Sequence, residues 1–239
     1  MWQTTFFEED FAPGIVNVAS IPKLSLFRYP GGKTWFVPYI RRWLDPVVRR
    51  KQNLVPAQPT RFIEPFLGGG SISLTVAAEH LVAELIMAEI DEDVAAVWQT
   101  ALLTNEAACL AKRIADYALT SENVATLLSE CPTSLCERAF QTIVKNRVNR
   151  GGILAPGAGQ LKAGENGKGI LSRWYPATLA QRIRRIAALG ERMTFLPGDG
   201  LALFNTYAED AEAVFFIDPP YTAGKDGKRA GKRLYTYNE

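Results

Sequence analysis

Histidine and cysteine are scarce in this sequence of 239 residues, which has one histidine, His80, and three cysteines, Cys109, Cys131 and Cys136. A single histidine with an odd number of cysteines does not supply the usual Cys/His ligand set of a zinc site. No partner motif for a histidine-dependent catalytic triad accompanies His80 either. We therefore expect reduced thiols without a metal role, and we expect His80 at a helix end on the surface.

Long apolar runs and a basic N-terminal segment are also missing. No segment approaches the roughly 20 uncharged apolar residues of a membrane span. Where a signal peptide would be basic, the N-terminal segment contains Glu8, Glu9 and Asp10. These absences predict a cytoplasmic protein without a membrane partner. A composition of 47% hydrophobic and 22% charged residues fits one large α/β domain with an insertion.

The net charge of +2 says little by itself, but the basic residues are unevenly distributed. They form three clusters: Arg41, Arg42, Arg49, Arg50 and Lys51; Lys145, Arg147 and Arg150; and Lys225, Lys228, Arg229, Lys232 and Arg233. Each cluster alone fits a solvated surface. Because the three flank the motifs described below, they favour contact with the phosphates of a nucleic acid.

Apolar patterning predicts alternating strands and helices. Residues 61–64 and 84–89 are predicted strands, and each precedes a predicted helix, so a parallel sheet is expected. The sheet resumes at residues 193–196 and 213–217, and the latter is uninterrupted and apolar, as in a strand buried on both faces. The intervening chain is predicted to be mainly helical, with an irregular glycine-rich loop over residues 148–172.

A glycine turn links the first strand to its helix, in Phe62-Ile63-Glu64-Pro65-Phe66-Leu67-Gly68-Gly69-Gly70-Ser71. Glycines let a ligand approach the backbone, and a helix N-terminus offers unpaired N–H groups to an anion. NAD sites share this pattern, with an acid about twenty residues further on to bind a ribose. Glu89 and Asp91 fit that spacing, although Ser73 replaces the third glycine of the NAD fingerprint.

Two further motifs are present. Tyr29-Pro30-Gly31-Gly32-Lys33-Thr34 imitates a phosphate-binding P-loop but has Phe27 where such a loop requires glycine. Asp218-Pro219-Pro220-Tyr221 follows the last predicted strand, at the sheet edge where α/β proteins bind ligands. Its carboxylate and the Pro219 carbonyl are suited to accept hydrogen bonds from a substrate amine, and the tyrosine offers a stacking surface.

These motifs, with Ala88-Glu89-Ile90-Asp91 between them, resemble in their order the Dam-like adenine-N6-specific DNA methyltransferases. The resemblance spans about residues 24–237. It implies an α/β, Rossmann-like fold that uses S-adenosylmethionine and carries a mainly helical target-recognition insertion. It also implies site-specific methylation of a flipped adenine in double-stranded DNA, as in restriction-modification or in phage and bacterial DNA marking.

The resemblance assigns roles to individual residues. The glycine turn is expected to cradle the methionine part of the cofactor, Asp199 to meet its adenine, and either Glu89 or Asp91 to hold its ribose. The full set of expected cofactor contacts is Tyr29, Lys33, Glu64, Phe66, Gly68, Gly70, Glu89, Asp91, Asp199 and Asp218. The expected catalytic residues are Asp218, Pro219, Pro220 and Tyr221.

The order of motifs in the family also predicts the domain layout. We expect an N-terminal extension over residues 1–22, a catalytic domain over 23–104 and 193–239, and a target-recognition region over 105–192. Asparagine and arginine side chains can read adenine and guanine edges, and cations pair with phosphates. The expected DNA contacts are Lys145, Asn146, Arg147, Asn149, Arg150, Lys228 and Arg229.

One departure from the family concerns the C-terminus. Members continue past the Asp-Pro-Pro-Tyr motif with further strands, whereas this sequence stops at Glu239. We therefore expect a C-terminally truncated member with an incomplete sheet, and weakened cofactor binding or activity as a result. The alternatives are a non-catalytic DNA- or cofactor-binding remnant, an NAD-dependent oxidoreductase, and methyl transfer to RNA or protein.

Overall fold

The computed structural model describes residues 21–28 and 32–220. The strands are β1 (Arg61–Glu64), β2 (Glu84–Glu89), β3 (Met193–Pro197) and β4 (Ala213–Phe215). The helices are α1 (Val37–Leu44), α2 (Pro46–Lys51), α3 (Ser71–Ala78), α4 (Glu92–Leu102), α5 (Thr104–Asp116), α6 (Ser121–Ser129), α7 (Leu135–Val148), α8 (Pro176–Leu189) and α9 (Leu201–Tyr207). Within these ranges no helix is long and apolar enough to cross a membrane.

The four strands form one parallel sheet in the order β3-β2-β1-β4. Ile63 at the centre is in register with Ile86 of β2 and Phe215 of β4. Helices connect the successive strands, which is the arrangement that parallel pairing requires. The predicted α/β, Rossmann-like fold is thus confirmed, and the carboxyl ends of all four strands lie at the same edge of the sheet.

The two faces of the sheet are covered unequally. Phe62 and Leu85 point into the large core that α3, α4, α5, α7 and α8 complete. Ile63 and Ile86 point to the opposite face, where Leu203 of α9 covers them in a small cluster. Because side chains alternate along a strand, adjacent residues of β1 and β2 serve different cores.

The long helical insertion packs on the sheet-covering helices. Helix α7 contacts α4, and α8 contacts α5. Trp98 of α4, Ile143 of α7 and Ile183 of α8 are fully buried in the same core. The chain between α7 and α8 has only short 3-10 turns, at Arg150–Gly152, Glu165–Gly167 and Gly169–Arg173, so the predicted irregular loop is confirmed.

The last strand differs from its prediction. β4 ends at Phe215 instead of residue 217, and Ile217 is 54% exposed. Phe215 stacks on Phe204 of α9 with ring centroids 5.1 Å apart, and Phe216 stacks on Phe62 on the other face. Among the described strands β4 pairs only with β1. Phe215 and Phe216 therefore contact other aromatic side chains on opposite faces of the sheet. The expectation that residues 213–217 are fully buried was wrong.

The histidine and the cysteines differ in exposure, since His80, Cys109 and Cys131 are exposed and Cys136 is buried. His80 follows the end of α3 with a φ of 53° and is exposed, as predicted. All three cysteines are free, and the Sγ atoms of Cys109 and Cys136 lie 3.5 Å apart between α5 and α7. In the described ranges no group of histidine, cysteine, aspartate and glutamate side chains could hold a metal ion.

Candidate functional site

Acidic residues collect at the carboxyl edge of the sheet. Glu64 is the last residue of β1 and Glu89 the last of β2. Asp199 follows β3, and Asp218 follows β4. Because the strands are parallel, four segments distant in sequence deliver these carboxylates to one edge, where open α/β sheets bind their ligands.

The turn after β1 needs glycine at positions 68 and 70, because of their backbone conformation and, at Gly70, a close contact. Gly68 and Gly70 have φ values of 47° and 61°, in the left-handed region that favours glycine. A Cβ atom on Gly70 would lie 2.6 Å from the ring of Trp98, which cannot yield because it is fully buried. The Trp98 Nε1 atom also donates a hydrogen bond to the Gly68 carbonyl, at 3.0 Å. Helix α4 thus fixes the turn that begins α3.

Glu89 ties the glycine turn to β2. Its side chain is buried, Oε2 accepts a hydrogen bond from the Gly68 N–H at 2.7 Å, and Oε1 accepts one from the Asp91 N–H at 2.9 Å. Burial raises the pKa of Glu89 to about 7, although these backbone hydrogen bonds lower it. A carboxylate can accept about four hydrogen bonds, so both oxygens retain capacity for ligand hydroxyl groups.

Glu89 and Asp91 have different roles in the structure. Asp91 is the N-cap of α4, where its Oδ1 accepts hydrogen bonds from the N–H groups of Asp93 and Val94, at 3.0 and 3.3 Å. Glu89 lines a cavity of about 530 Å³, and Asp91 is not among the residues that line it. The sequence left Glu89 and Asp91 as alternatives for the ligand-binding acid. The position of Glu89 in the cavity wall favours Glu89.

The cavity beside Glu89 has apolar and polar walls. Ile90 and Ala95 lie on one side, and Pro197 and Gly198 of the β3 edge on another. The remaining lining residues are Glu92, Gln99, Pro132, Thr133, Ser134, Leu135 and Arg138. Asp199 itself is exposed, and its Oδ1 accepts a hydrogen bond from the Leu201 N–H at 2.9 Å. Its predicted contact with a cofactor adenine stays a prediction.

Glu64 is the most deeply placed acid at this edge. It is 4% exposed, and its Oε2 accepts hydrogen bonds from both the N–H and the hydroxyl of Ser73. The pKa of Glu64 is raised to about 8, because burial and the charges of Asp218 and Glu89 raise it by more than the Ser73 hydrogen bonds lower it. Ser73 is the residue that departs from the NAD fingerprint, and sequence reasoning did not identify its role. Phe66, also an expected cofactor contact, is half-buried after β1.

The structure joins the Gly-Gly-Lys segment to the Asp-Pro-Pro-Tyr motif. The Nζ atom of Lys33 lies 2.7 Å from Oδ2 of Asp218, and their side chains are 15% and 24% exposed. Lys33 caps a 3-10 turn, and Phe36 at the end of that turn packs 6.1 Å from Phe216, measured between ring centroids. An aromatic contact therefore anchors both chain segments that supply the ion pair. Nothing in the sequence spacing indicated this pair.

The structure describes only some of the remaining predicted residues. Pro219 is exposed and Pro220 half-buried directly after Asp218. Tyr29 and Tyr221, together with Lys228 and Arg229, lie outside the described residues.

The predicted DNA contacts at the end of α7 and directly after it need correction. Asn146 is 1% exposed and bonds to the backbone of Arg28 and Gly152. Asn149 is also buried, and its Nδ2 donates to the Ile153 carbonyl at 2.8 Å. The side chains of these asparagines form hydrogen bonds to backbone groups of the protein itself, so their expected role in reading bases was wrong. Arg147 is buried too, whereas Lys145 is half-buried and Arg150 exposed.

Comparison with known protein families gives a match over part of the chain. Residues 29–130 match the sequence model of the D12 class N6 adenine-specific DNA methyltransferases. The match covers the Gly-Gly-Lys segment, the glycine turn and Glu89, and it ends before the Asp-Pro-Pro-Tyr motif. No curated protein matches the chain. The predicted resemblance to adenine-N6-specific DNA methyltransferases is thus confirmed over residues 29–130.

Proposed function

We propose that this chain methylates a specific adenine of double-stranded DNA with S-adenosylmethionine as donor, because residues 29–130 match the sequence model of the D12 class of N6 adenine-specific DNA methyltransferases. The family accounts for the reaction class, which is methylation of DNA adenine. The observation that carries the proposal is the ion pair of Lys33 with Asp218 beside Glu64 and the glycine turn. That arrangement brings together three motifs that are separate in sequence.

The residues at the sheet edge fit S-adenosylmethionine. Glu89 would accept hydrogen bonds from the ribose hydroxyls, and Ile90 and Pro197 would give the adenine ring apolar contacts. The glycine turn would face the methionine part, with Glu64 behind it. An edge rich in carboxylates also favours a cationic ligand. When bound, the cofactor supplies a methyl group made electrophilic by its positively charged sulfur.

Asp218 is proposed to activate the target amine. The exocyclic nitrogen of adenine is a poor nucleophile because its lone pair is delocalised into the ring. The Asp218 carboxylate and the Pro219 carbonyl would accept hydrogen bonds from its two N–H groups and so localise that lone pair. Lys33 holds the Asp218 side chain in one orientation before the substrate arrives. This positioning reduces the reorganisation that the reaction requires.

The target base must leave the duplex before it reaches Asp218. Unstacking and unpairing cost a few kcal/mol. Stacking on Tyr221, which the motif places three residues after Asp218, would offset roughly 1–3 kcal/mol of that cost. Phosphate contacts from Lys145, Arg150 and the basic residues near Lys228 would make DNA binding dependent on salt.

Product identification tests the proposal. The protein is incubated with duplex DNA and S-adenosylmethionine that carries a tritiated methyl group, and the DNA is then digested to nucleosides. We expect the label in N6-methyladenine and at a defined sequence. Parallel reactions with RNA and with protein acceptors should incorporate no label. Label in cytosine, label in RNA or protein only, or binding of NAD in place of S-adenosylmethionine would overturn the assignment.

A further inference from the structure

A second cavity, of about 390 Å³, lies between the segment of residues 21–28 and helices α3 and α8. Ser71 and Thr75 of α3 form one wall, and Leu179 of α8 forms another. The charged side chains that line it are all basic: Lys23, Arg28, Arg147, Arg173 and Arg182. We call this the basic cavity. No described carboxylate lines it.

Arg147 contributes a buried donor without an acceptor. Its side chain is 6% exposed, and one terminal nitrogen donates to the Leu26 carbonyl. In the described ranges its Nε–H has no hydrogen-bond partner. Burial, together with the charges of Arg182, Arg28 and Arg173, lowers the pKa of Arg147 to about 10. The positive charges of Arg182, Arg28 and Arg173 are therefore close enough to act on the buried Arg147.

Arg182 connects the basic cavity to the glycine turn. Its Nη1 donates to the Ser25 carbonyl at 2.9 Å, and the Ser25 hydroxyl donates to the Gly69 carbonyl. Neither Arg147 nor Arg182 forms an ion pair with a described residue. A buried cation such as Arg147 is unfavourable without a counter-charge, and an anion bound beside it would remove that cost.

We propose that the basic cavity binds a phosphate group. Arginine presents a rigid set of N–H donors that matches the oxygens of a phosphate. Several arginines together carry more positive charge than a single carboxylate would need for neutralisation, so a phosphate fits the cavity better than a carboxylate does. Lys23 and Thr178 at its boundary are exposed, so the cavity is reached from solvent. The phosphate comes either from the DNA backbone, a source that rests on the proposed function, or from solution.

Inorganic phosphate is the probe for the first test. Binding to the full chain is followed by calorimetry and by the thermal midpoint, with sodium chloride at matched ionic strength as reference. We expect saturable binding that Arg182→Gln weakens about tenfold, the effect of one charge-assisted hydrogen bond. Arg185→Gln on the same helix is the matched control, because Arg185 is exposed and outside the lining. If Arg182→Gln fails to fold, Arg173→Gln provides the same test.

A competition experiment distinguishes the two sources of phosphate. If the site takes a DNA phosphate, inorganic phosphate weakens duplex binding more than chloride does, and Arg182→Gln removes the difference. If duplex binding responds equally to both salts, the ligand is free phosphate. Absence of saturable phosphate binding, or equal binding by Arg182→Gln, overturns the proposal. Competition by S-adenosylmethionine also overturns it, since the site would then hold the carboxylate of the donor. Phosphate binding is measured without methyl transfer, so the two proposals fail separately.

Discussion

The acidic sheet edge and the basic cavity lie on either side of the glycine turn and differ in charge. The edge gathers Glu64, Glu89 and Asp218, with Lys33 as the cation paired there. The basic cavity is lined by five cations and by no described acid. A net charge of only +2 conceals this separation. Under the two proposals, each region binds a ligand of opposite charge, and both regions contact the same glycine turn.

Replacing Gly70 should break both regions at once. In Gly70→Ala the new Cβ meets the Trp98 ring, and the left-handed φ adds strain, so we expect the free energy of unfolding to fall by roughly 2–5 kcal/mol. Binding of S-adenosylmethionine and of phosphate should weaken together. Denaturant unfolding and calorimetry measure these effects.

Gly157→Ala is the matched control for that substitution. Gly157 has a φ of 82°, but a Cβ there would meet no atom within 4 Å. We expect a loss of about 1–2 kcal/mol from backbone strain alone, with ligand binding unchanged. Equal losses for the two variants would show that the Trp98 contact does not fix the turn.

Buried acids at the sheet edge should make stability depend on pH. The pKa of Glu64 rises from 4.5 to about 8 on folding, and that of Glu89 from 4.5 to about 7. Between these values the folded state holds more protons than the unfolded state, so the free energy of unfolding falls as pH rises from about 5 to 8. At about 1.4 kcal/mol for each pKa unit, the full change for both acids is on the order of 8 kcal/mol.

Glu64→Gln should remove most of this pH dependence, because the amide does not titrate. Glu84→Gln is the control, since Glu84 lies at the opposite end of β2 and pairs with Arg61. Unfolding in urea across the pH range measures both. An unchanged slope in Glu64→Gln would show that Glu64 is not the group responsible.

The smallest expected effects concern Glu89, at the end of β2, and Asp91, which follows it. Glu89→Gln should weaken S-adenosylmethionine binding about tenfold, the effect of one hydrogen bond to a charged group. Asp91→Ala should cost about 1 kcal/mol of stability through loss of the α4 cap and leave the affinity nearly unchanged. Calorimetry and thermal unfolding measure the two effects, and the reverse pattern would assign the ribose to Asp91.

Local sequence patterns predicted the strands at residues 61–64 and 84–89, the turn between them and the parallel sheet, because periodicity and glycine act over a few residues. The Lys33–Asp218 pair was not predictable, since it depends on the contact of Phe36 with Phe216 across the fold. Asn146 and Asn149 were misassigned for a similar reason. Their polarity suggested a surface, whereas the structure uses them to satisfy buried backbone groups.

The central claim is that Asp218 activates the target amine, and methyl transfer by Asp218→Ala tests this claim most directly. Initial rates on duplex DNA are measured with tritiated S-adenosylmethionine, together with cofactor affinity by calorimetry. Asp210→Ala is the control, since Asp210 precedes β4 and pairs with Arg61 at the opposite edge. We predict that Asp218→Ala binds the cofactor but transfers no measurable methyl group, while Asp210→Ala retains activity. Near-normal transfer by Asp218→Ala would contradict the account.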